Sequence, residues 1–325
     1  MGFSVQEFLS GVVCGEPQGK GNLTVFPLIS RVEFRESLLL LDEAMEMGVL
    51  EMGEVSESGM VNTIIVKNNG DTPVLILDGE EVAGAKQNRM VNATVLVPQK
   101  SSVRVPVSCV ERGRWSYESP CFIKSEVFGY ATLRRQKVEQ VACNLEGEMG
   151  FVADQGAIWA EVSRKQVRMG APSGTDALHD VYESYADKLE QFISGLNPVA
   201  DQAGVAVFIN GRFSCLDLLA SEALLRKVWD KLLKSYAMEA LDVRDQKQSE
   251  EKMDCSRVLD KIRECECREY PSVGRGTDIR LRGANIVGAG LVDGGHVLHL
   301  SVFSGGTNGH TRMARPGVRR SSRRV

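Results

Sequence analysis

The residues best suited to chemistry lie between positions 78 and 115, where charged and amide side chains interrupt segments that otherwise resemble buried strands. Glu80 follows a glycine turn, and a carboxylate held by an arginine can orient a substrate hydroxyl or act as a general base. Gln87, Asn88 and Arg89 form a consecutive triple. The guanidinium fork suits phosphate or carboxylate, and the amides suit the polar edges of sugars or bases. Because binding and catalysis on a β scaffold usually lie at strand ends, we predict a functional site here.

A second polar group follows the next strand and contributes Glu111, Arg114 and Trp115. The indole can form the floor of a ring-binding pocket, with the Arg114 guanidinium above it. Structural interpretations stay open beside these: a salt-bridged turn at Glu80, a polar loop that caps a strand at the triple, and a Trp115 that closes the core edge. We assign Glu80 and Glu111 as candidate catalytic residues. The triple, Arg114 and Trp115 are the candidate ligand-binding residues.

A third catalytic candidate is His299, near the end of the sequence. His296 and His299 are three residues apart on a predicted strand, so they point to opposite faces and disfavour a paired metal site. His299 shares its phase with Phe303, which makes it a single inward histidine for catalysis or hydrogen bonding. The Cys265-x-Cys267 pair has no partner ligands nearby. We therefore predict no metal centre, and the sequence leaves any cofactor unknown.

The number and positions of the cysteines indicate how reactive the thiols are and in which cellular compartment the protein lies. Cys109 alternates in step with Val103, Val105 and Val107, which places its thiol in the core as a small, unreactive hydrophobe. The eight cysteines are scattered without a paired framework, so we expect unpaired thiols and a reducing cytoplasm. The N-terminus lacks the basic start of a secretory signal, and no apolar run approaches the ~20 residues of a membrane span. We expect no membrane association.

Predicted strands begin and end the chain, and helices occupy its middle. Region 20–115 holds short, turn-linked strands, region 150–267 is helical around one short strand at 204–209, and strands return over 278–303. Because isolated hairpins are rarely stable, the last strands should rejoin the N-terminal sheet. We predict one α+β domain over residues 1–303: an antiparallel β sandwich or barrel built from N-terminal and C-terminal strands, with the helical middle segment packed on it. Apolar periodicity predicts helices over 36–47, 156–167, 178–193, 217–241 and 249–267.

Charge is unevenly distributed along the 325 residues. The net charge is −4, yet the last 14 residues contain six arginines and no acid, so the remaining body is near −10. An acidic body argues against nucleic-acid binding over the main surface. We expect residues 304–325 to form a disordered basic tail. Such a tail would bind polyanions weakly, or contact the acidic body of a neighbouring subunit in a homo-oligomer.

The passage GEEVAGAKQNRMVNATVLVP, followed by VSCVERGRW, resembles the signature region of a prokaryotic family of uncharacterised proteins. The family is the ARG- and rhodanese-phosphatase-superfamily-associated protein domain, the first of two so described, where ARG means ADP-ribosylglycohydrolase. QGAIWAEV at 155–162 and the closing GGHVLHLSVF fit as well, so the resemblance covers roughly residues 20–303. It implies a setting among enzymes that handle ADP-ribose, NAD and phosphate esters. Carried over residue by residue, it implies the same eight candidates: Glu80, Gln87, Asn88, Arg89, Glu111, Arg114, Trp115 and His299.

Two functions of different classes follow. The first is a cytoplasmic domain that binds or processes an ADP-ribose-like or related nucleotide metabolite, a small anionic ligand, through the Glu/Gln/Asn/Arg cluster. Whether this domain is an enzyme stays open. The alternative is a non-enzymatic interaction or self-assembling structural protein, in which the same polar cluster stabilises the β scaffold. A thermal-shift panel of ADP-ribose, NAD and nucleotides separates the two, because a ligand at 100 times its Kd adds about 2.7 kcal/mol of stability.

Overall fold

A computed structural model describes residues 5–56, 59–250 and 253–305. Over these ranges the chain forms an α+β fold with large antiparallel sheets and eight helices, as the sequence predicted. Within the same residues, no helix is long and apolar enough to cross a membrane. The predicted disordered tail lies outside the described residues, apart from Ser304 and Gly305.

The helices differ widely in length, and only three of them exceed ten residues. In chain order they are α1 Val5–Ser10, α2 Leu41–Glu46, α3 Ala131–Glu146, α4 Gln155–Met169, α5 Leu178–Ser184, α6 Ala186–Ile193, α7 Glu222–Asp242 and α8 Cys255–Arg263.

The strands of the N-terminal half are β1 Val12–Cys14, β2 Gln18–Lys20, β3 Leu23–Ser30, β4 Leu39–Leu40, β5 Leu50–Glu54, β6 Thr63–Asn68, β7 Val74–Ile76, β8 Glu80–Gly84, β9 Arg89–Val91, β10 Val95–Val97, β11 Ser101–Cys109 and β12 Phe122–Phe128. Those that follow are β13 Gln202–Ile209, β14 Arg212–Leu219, β15 Glu266–Pro271, β16 Thr277–Gly283, β17 Ile286–Asp293 and β18 His296–Ser304.

The largest sheet joins the two ends of the chain. Its order is β1-β3-β13-β14-β18-β17-β16-β15, with β2 paired to β3, and every pairing is antiparallel. Phe26 on β3 lies opposite Ala206 on β13, and Asp217 on β14 lies opposite Ser301 on β18. The N-terminal and C-terminal strands therefore share one sheet, as predicted, with the β13–β14 hairpin between them.

Helices cover both faces of this sheet. On one face, α3 and α7 bury apolar side chains such as Val138, Trp229 and Leu232 against the strands. On the other face, α8 buries Cys255, Val258, Leu259 and Ile262 together with α1. Because those positions recur at i, i+3, i+4 and i+7, the charged α8 is amphipathic and not solvated all round.

Two smaller sheets form a second β layer, which carries residues 78–115. Their orders are β10-β7-β4 and β12-β8-β9-β11-β6-β5, and only the β4–β7 pairing is parallel. Their inward side chains, including Ile64, Val66, Val91, Val105 and Phe122, form a separate apolar core. The predicted site residues therefore lie mostly at the strand ends of this second layer.

A network of buried polar groups centred on Asp217 lies between the large sheet and its helices. Arg134 on α3 donates to both Asp217 oxygens at 3.0 and 2.6 Å, and the Tyr236 hydroxyl on α7 donates at 2.6 Å. His299 Nε2 on β18 lies 3.3 Å from Asp217, and its Nδ1 lies 2.7 Å from the Thr94 hydroxyl. We call these five residues the Asp217 network. It joins two helices, two strands of the large sheet and the second β layer.

Burial and charge set the protonation states in the Asp217 network. Burial lowers the pKa of His299 and the Asp217 carboxylate only partly opposes that shift, so the ring is neutral at physiological pH. A neutral ring that donates from Nε2 to Asp217 accepts at Nδ1 from the Thr94 hydroxyl, and that hydroxyl in turn accepts from the Asp78 N–H. Burial would raise the pKa of Asp217, but Arg134 and His299 outweigh it and hold that pKa below its ordinary value.

Several predicted helices differ from those observed. The helix predicted over 36–47 is confined to Leu41–Glu46, and the one over 178–193 is broken at Tyr185, whose φ of −116° and ψ of 8° leave the helical region. The helix predicted from 217 begins only at Glu222, after a Ser221 N-cap, because Asp217 belongs to β14. Among the described residues of segment 249–267, only Cys255–Arg263 is α-helical, and β15 follows it.

The expectation of unpaired cysteines is wrong for one pair. Cys14 and Cys255 form a disulfide, although 241 residues separate them in sequence. The fold brings them together because β1, at one edge of the large sheet, lies against α8. The other six cysteines are free thiols. Cysteine usage therefore no longer supports a reducing compartment.

Replacing Asp217 with Asn should destabilise the fold by about 3–5 kcal/mol, because the buried Arg134 charge loses its compensating carboxylate. The contribution of Asp217 is fully present above the ordinary aspartate pKa and is lost as the pH falls towards its lower folded pKa. Denaturant unfolding at pH 7 measures the difference. The matched control is Glu222→Gln, which breaks a partly exposed i,i+4 pair with Arg226 and should cost about 0–1 kcal/mol. Equal losses for the two variants would contradict the central role of Asp217.

Candidate functional site

The turn between β8 and β9 positions the predicted triple. Gly84 has a φ of +97°, and a Cβ there would lie 2.4 Å from the Ser119 hydroxyl, so only glycine fits without displacing the loop above. Asn88 Oδ1 accepts from the Gly84 N–H at 3.0 Å and closes the turn. The loop that follows β11 then lies directly over this turn, since the Glu118 N–H donates to the Ala85 carbonyl at 2.9 Å.

Arg89 and Cys109 share one face of the sheet because they are paired across β9 and β11. Arg89 donates from NH1 to Gln87 Oε1 at 3.0 Å, and the Cys109 thiol lies 3.1 Å from the same oxygen. Gln87 Nε2 donates to the Glu111 carbonyl at 2.9 Å. Gln87 is therefore saturated by protein partners, and its role is to position the Arg89 guanidinium.

The Arg89 guanidinium itself is only partly satisfied. Its side chain has no solvent exposure, yet Nε and NH2 have no hydrogen-bond partner within the described residues. The nearest opposite charge is Glu54 at the end of β5, whose Oε1 lies 3.7 Å from NH2. The Glu54 side chain is 3 % exposed, and among the described residues neither of its carboxylate oxygens has a hydrogen-bond donor. Buried polar groups without partners are rare and costly, so this pair indicates a place for a further hydrogen-bonding group.

Two aromatic side chains lie over the buried cations. Trp115 is 48 % exposed and Tyr117 is 51 % exposed. The Trp115 ring centroid lies 5.7 Å from Arg89 Cζ and 5.4 Å from Lys86 Nζ, and the Tyr117 centroid lies 5.0 Å from Lys86 Nζ. The arrangement combines ring faces open to solvent with positive charge beneath them. We call the whole group the Arg89 cluster: Glu54, Lys86, Gln87, Arg89, Cys109, Trp115 and Tyr117.

Glu111 and Arg114 support the Arg89 cluster from the side. Glu111 accepts from the Asn88 N–H at 3.0 Å, from Arg114 at 2.8 and 2.6 Å, and from the Thr175 hydroxyl at 3.0 Å. Burial would raise the pKa of Glu111, but these donors outweigh it and keep that pKa below the ordinary value. Arg114 also donates to Asn88 Oδ1 at 3.1 Å and to the Ala85 carbonyl at 2.8 Å. An ionised carboxylate held in this way is a poor proton acceptor and a good structural anchor.

Glu80 lies in a different environment from the Arg89 cluster. It is 1 % exposed, accepts from the Leu77 N–H at 2.7 Å, and lies 4.0 Å from Lys231 on α7. Burial raises the pKa of Glu80 to about 7, although the Lys231 charge opposes the shift. His299 is likewise apart, within the Asp217 network.

The structure thus brings together six of the eight predicted site residues: Gln87, Asn88, Arg89, Glu111, Arg114 and Trp115. The expectation of one site with His299 within reach is not met, because the described contacts of His299 and Glu80 run to other networks. For His299 the cause is the layering of the fold, because β18 lies in the large sheet, whereas β9 and β11 lie in the second layer. Glu80 lies on β8 of that same layer, but its carboxylate contacts Leu77 and Lys231 of α7.

Sequence reasoning missed Glu54 and Tyr117. A signal for Glu54 was present, because it follows Leu50 and Met52 at every second position of β5, and those two side chains are buried. The phase of the strand alone would have placed the Glu54 carboxylate on the inner face. Tyr117 lies in an irregular loop, where no periodicity indicates which way a side chain points.

Two other features lie outside the predicted site. A cavity of about 200 Å³ lies near the N-terminus of α3 and the C-terminus of α7, and none of the predicted site residues lines it. His179 Nδ1 lies 3.3 Å from the buried Glu81 carboxylate, which raises the pKa of His179. Among the described residues, no group of three or more His, Cys, Asp or Glu side chains has the arrangement of a metal site.

The comparison with protein families finds one match that spans almost all of the described chain. The family is described as the ARG and Rhodanese-Phosphatase-superfamily-associated Protein domain, and its model matches residues 11–303. Neither the comparison with curated proteins nor that with solved structures finds a match.

The raised pKa of Glu80 predicts a pH-dependent stability. Between the ordinary pKa of 4.5 and the folded pKa of about 7, the folded state binds more protons than the unfolded state, so stability falls as the pH rises. The free energy of unfolding of the wild type, relative to Glu80→Gln, should therefore decrease by roughly 3 kcal/mol between pH 4.5 and pH 8. Denaturant unfolding across this range measures it. A constant difference between the two proteins would show that Glu80 ionises normally.

Cys109 should remain unreactive in the folded protein, because its thiol is fully buried and burial raises its pKa. Cys121 is an exposed free thiol in the same layer and serves as the internal control. Under native conditions a maleimide should label Cys121 within minutes and Cys109 only after unfolding, as read by peptide mass spectrometry. Equal labelling rates at the two sites would contradict the placement of Cys109.

Proposed function

The chain belongs to the family of ARG and rhodanese-phosphatase-superfamily-associated proteins, and from that premise we propose that the Arg89 cluster binds a small anionic, ring-bearing metabolite of the nucleotide type. ADP-ribose is the first compound to test, because the family description connects the domain with ADP-ribosylglycohydrolases. The proposal concerns binding in the first place. The catalytic roles of Glu80, Glu111 and His299 stay predictions.

The observation that carries the proposal is the buried and unsaturated Arg89 guanidinium. Nε and NH2 lack hydrogen-bond partners in the described ranges of the chain, and burial lowers the pKa of Arg89. An arginine nevertheless stays charged in a protein, so its desolvation must be offset by an anion. Glu54 at 3.7 Å forms an ion pair with Arg89 but is too far for a hydrogen bond, so Nε and NH2 still lack acceptors among the described residues. Two oxygens of one phosphate, each accepting from one of these nitrogens, would supply the missing interactions in bidentate geometry.

The aromatic pair supports the ring-bearing part of the ligand. Trp115 and Tyr117 each present about half of their surface to solvent, directly above Lys86 and Arg89. Stacking of a base on an aromatic side chain contributes roughly 1–3 kcal/mol and does not depend on base identity. Since the Trp115 ring also covers Arg89, an anion reaches the guanidinium only when this side chain moves aside. Binding should therefore change the environment of Trp115.

The same exposed rings favour a second candidate function. Tyr and Trp are enriched at protein–protein contacts, so Trp115 and Tyr117 would also suit an interaction surface of a non-enzymatic or self-assembling protein. In that function the unsaturated Arg89 would bind ordered water and no metabolite. The two candidates differ in whether a small anion stabilises the protein.

A thermal-shift and fluorescence panel of ADP-ribose, NAD, AMP and inorganic phosphate tests the proposal. ADP-ribose should raise the melting temperature and alter tryptophan emission. Trp115→Ala should weaken binding roughly 5- to 150-fold, because stacking is lost from a half-exposed position that the fold tolerates. Arg89→Lys should weaken it as well, since the lysine keeps the charge but loses the fork.

The matched control for Arg89 is Arg104→Gln, which removes an exposed arginine from β11 outside the cluster and should leave affinity unchanged. Binding that is absent for every compound, or equal in Trp115→Ala and wild type, would reject the metabolite site. A change in oligomeric state in Trp115→Ala, with no compound bound, would favour the interaction surface.

A further inference from the structure

We propose that Glu54 recognises the hydroxyl groups of a ribose in the ligand held by Arg89, which makes the Arg89 cluster selective for ribose over deoxyribose compounds. This inference rests on the proposed function and adds the class of ligand to it.

Glu54 is placed for this role by the geometry of β5. The strand alternates Leu50 and Met52 inward, with Glu51 outward between them, and the next inward position is Glu54. Its side chain is 3 % exposed, and its described ionic partner is Arg89 at 3.7 Å. Within the part of the chain that the structure describes, neither Glu54 oxygen accepts a hydrogen bond. A glutamate at the end of a strand would normally reach solvent, so its burial beside an unsaturated arginine indicates a shared partner.

The chemistry of that partner follows from the two charges. An ionised carboxylate accepts hydrogen bonds and donates none, so the missing group at Glu54 must be a donor without negative charge. The missing group at Arg89 must be an acceptor, since guanidinium nitrogens only donate. A hydroxyl meets both requirements, because it donates to Glu54 through its hydrogen and accepts from Arg89 through a lone pair. Glu54 Oε1 and Arg89 NH2 lie 3.7 Å apart, which is too far for a direct hydrogen bond, so a hydroxyl group can bridge them.

Two adjacent hydroxyls match the carboxylate better than one. Neither oxygen of Glu54 has a hydrogen-bond donor among the described residues, and vicinal hydroxyls of a ribose can donate one hydrogen bond to each. Dinucleotide-binding folds use an acidic residue in the same way to bind a ribose hydroxyl. Because the carboxylate repels phosphate, the anionic group of the ligand lies on the side of Arg89 and Lys86, and the sugar lies on the side of Glu54. A phosphorylated ribose with a ring to stack on Trp115 satisfies all these groups together.

Isothermal titration of the full chain with matched compounds tests the inference. The pairs are AMP with 2′,3′-dideoxy-AMP, and ribose 5-phosphate with 2-deoxyribose 5-phosphate. Wild-type protein should bind the ribose member of a pair at least about tenfold more tightly, since each hydrogen bond to a charged acceptor contributes that much. Glu54→Gln should abolish this preference by weakening the ribose compound, while the deoxy compound binds equally or more tightly.

Glu51→Gln is the matched control, because Glu51 lies three residues earlier on the same strand with an exposed side chain. It should keep the full preference for ribose. The ribose and deoxyribose compounds of a pair are compared on the same protein, and only the ratio of their two affinities is used. A general loss of stability in Glu54→Gln therefore does not affect this ratio. The wild-type preference alone also serves as a test if that variant does not fold.

The outcomes separate this inference from the proposed function. Binding that depends on Arg89 and Trp115 but is equal for ribose and deoxyribose compounds would overturn the role of Glu54 and leave the metabolite site intact. A preference for ribose that survives in Glu54→Gln would also overturn it, because another group would then read the hydroxyls. Binding of neither pair would reject both, and would assign the Glu54–Arg89 gap to ordered water.

Discussion

The ion pair between Arg134 and Asp217 is the interaction on which the architecture depends. Both side chains are fully buried, and the two hydrogen bonds between them join α3 to the middle of the large sheet. Asp217 also binds Tyr236 of α7 and His299 of β18, while the Arg134 guanidinium lies between the rings of Phe128 and Phe303 at 4.7 and 5.0 Å. A buried charge is tolerable only when its partners are fixed. The helices and strands that supply those partners are therefore held in one arrangement.

The Arg89 cluster also contains a buried arginine beside a carboxylate, but these two groups do not form a hydrogen bond with each other. Arg134 and Asp217 meet in bidentate geometry, whereas Arg89 and Glu54 face each other without a hydrogen bond. Both arginines are buried, so exposure does not separate them. What separates them is direct pairing: among the described residues Arg134 leaves only Nε without a hydrogen-bond partner, whereas Arg89 leaves both Nε and NH2 and makes no hydrogen bond to Glu54. The neighbouring residues fit that distinction, because Gln87, Asn88 and Glu111 use their acceptors to hold the guanidinium groups in place.

The sequence predicted which segments form strands or helices better than it predicted where these elements begin and end. Alternating apolar residues identified the β-rich region around β11 and the return of the last strands, and those pairings were found. Strand β14 was missed because Asp217 interrupts its apolar run, and the segment then resembles the start of the helix that follows. Local spacing also grouped Gln87 to Trp115 correctly, since those residues are neighbours across two adjacent strands. It failed for His299, whose neighbours come from distant parts of the sequence and so leave no local signal of proximity. The phase of β5 indicated that the Glu54 side chain points inward, but it could not indicate Arg89 as the neighbour.

The position of β3 has a consequence for the order in which the molecule assembles. β3 is an interior strand of the large sheet, yet its neighbour β13 follows it by some 180 residues, with Phe26 opposite Ala206. A chain that emerges from the ribosome N-terminus first can pair β3 with β1 and β2 at once, but the other edge of β3 stays unpaired until β13 has been made. The second β layer, whose strands are close together in sequence, has no such delay. The second β layer, which carries the Arg89 cluster, can thus fold before the large sheet is complete.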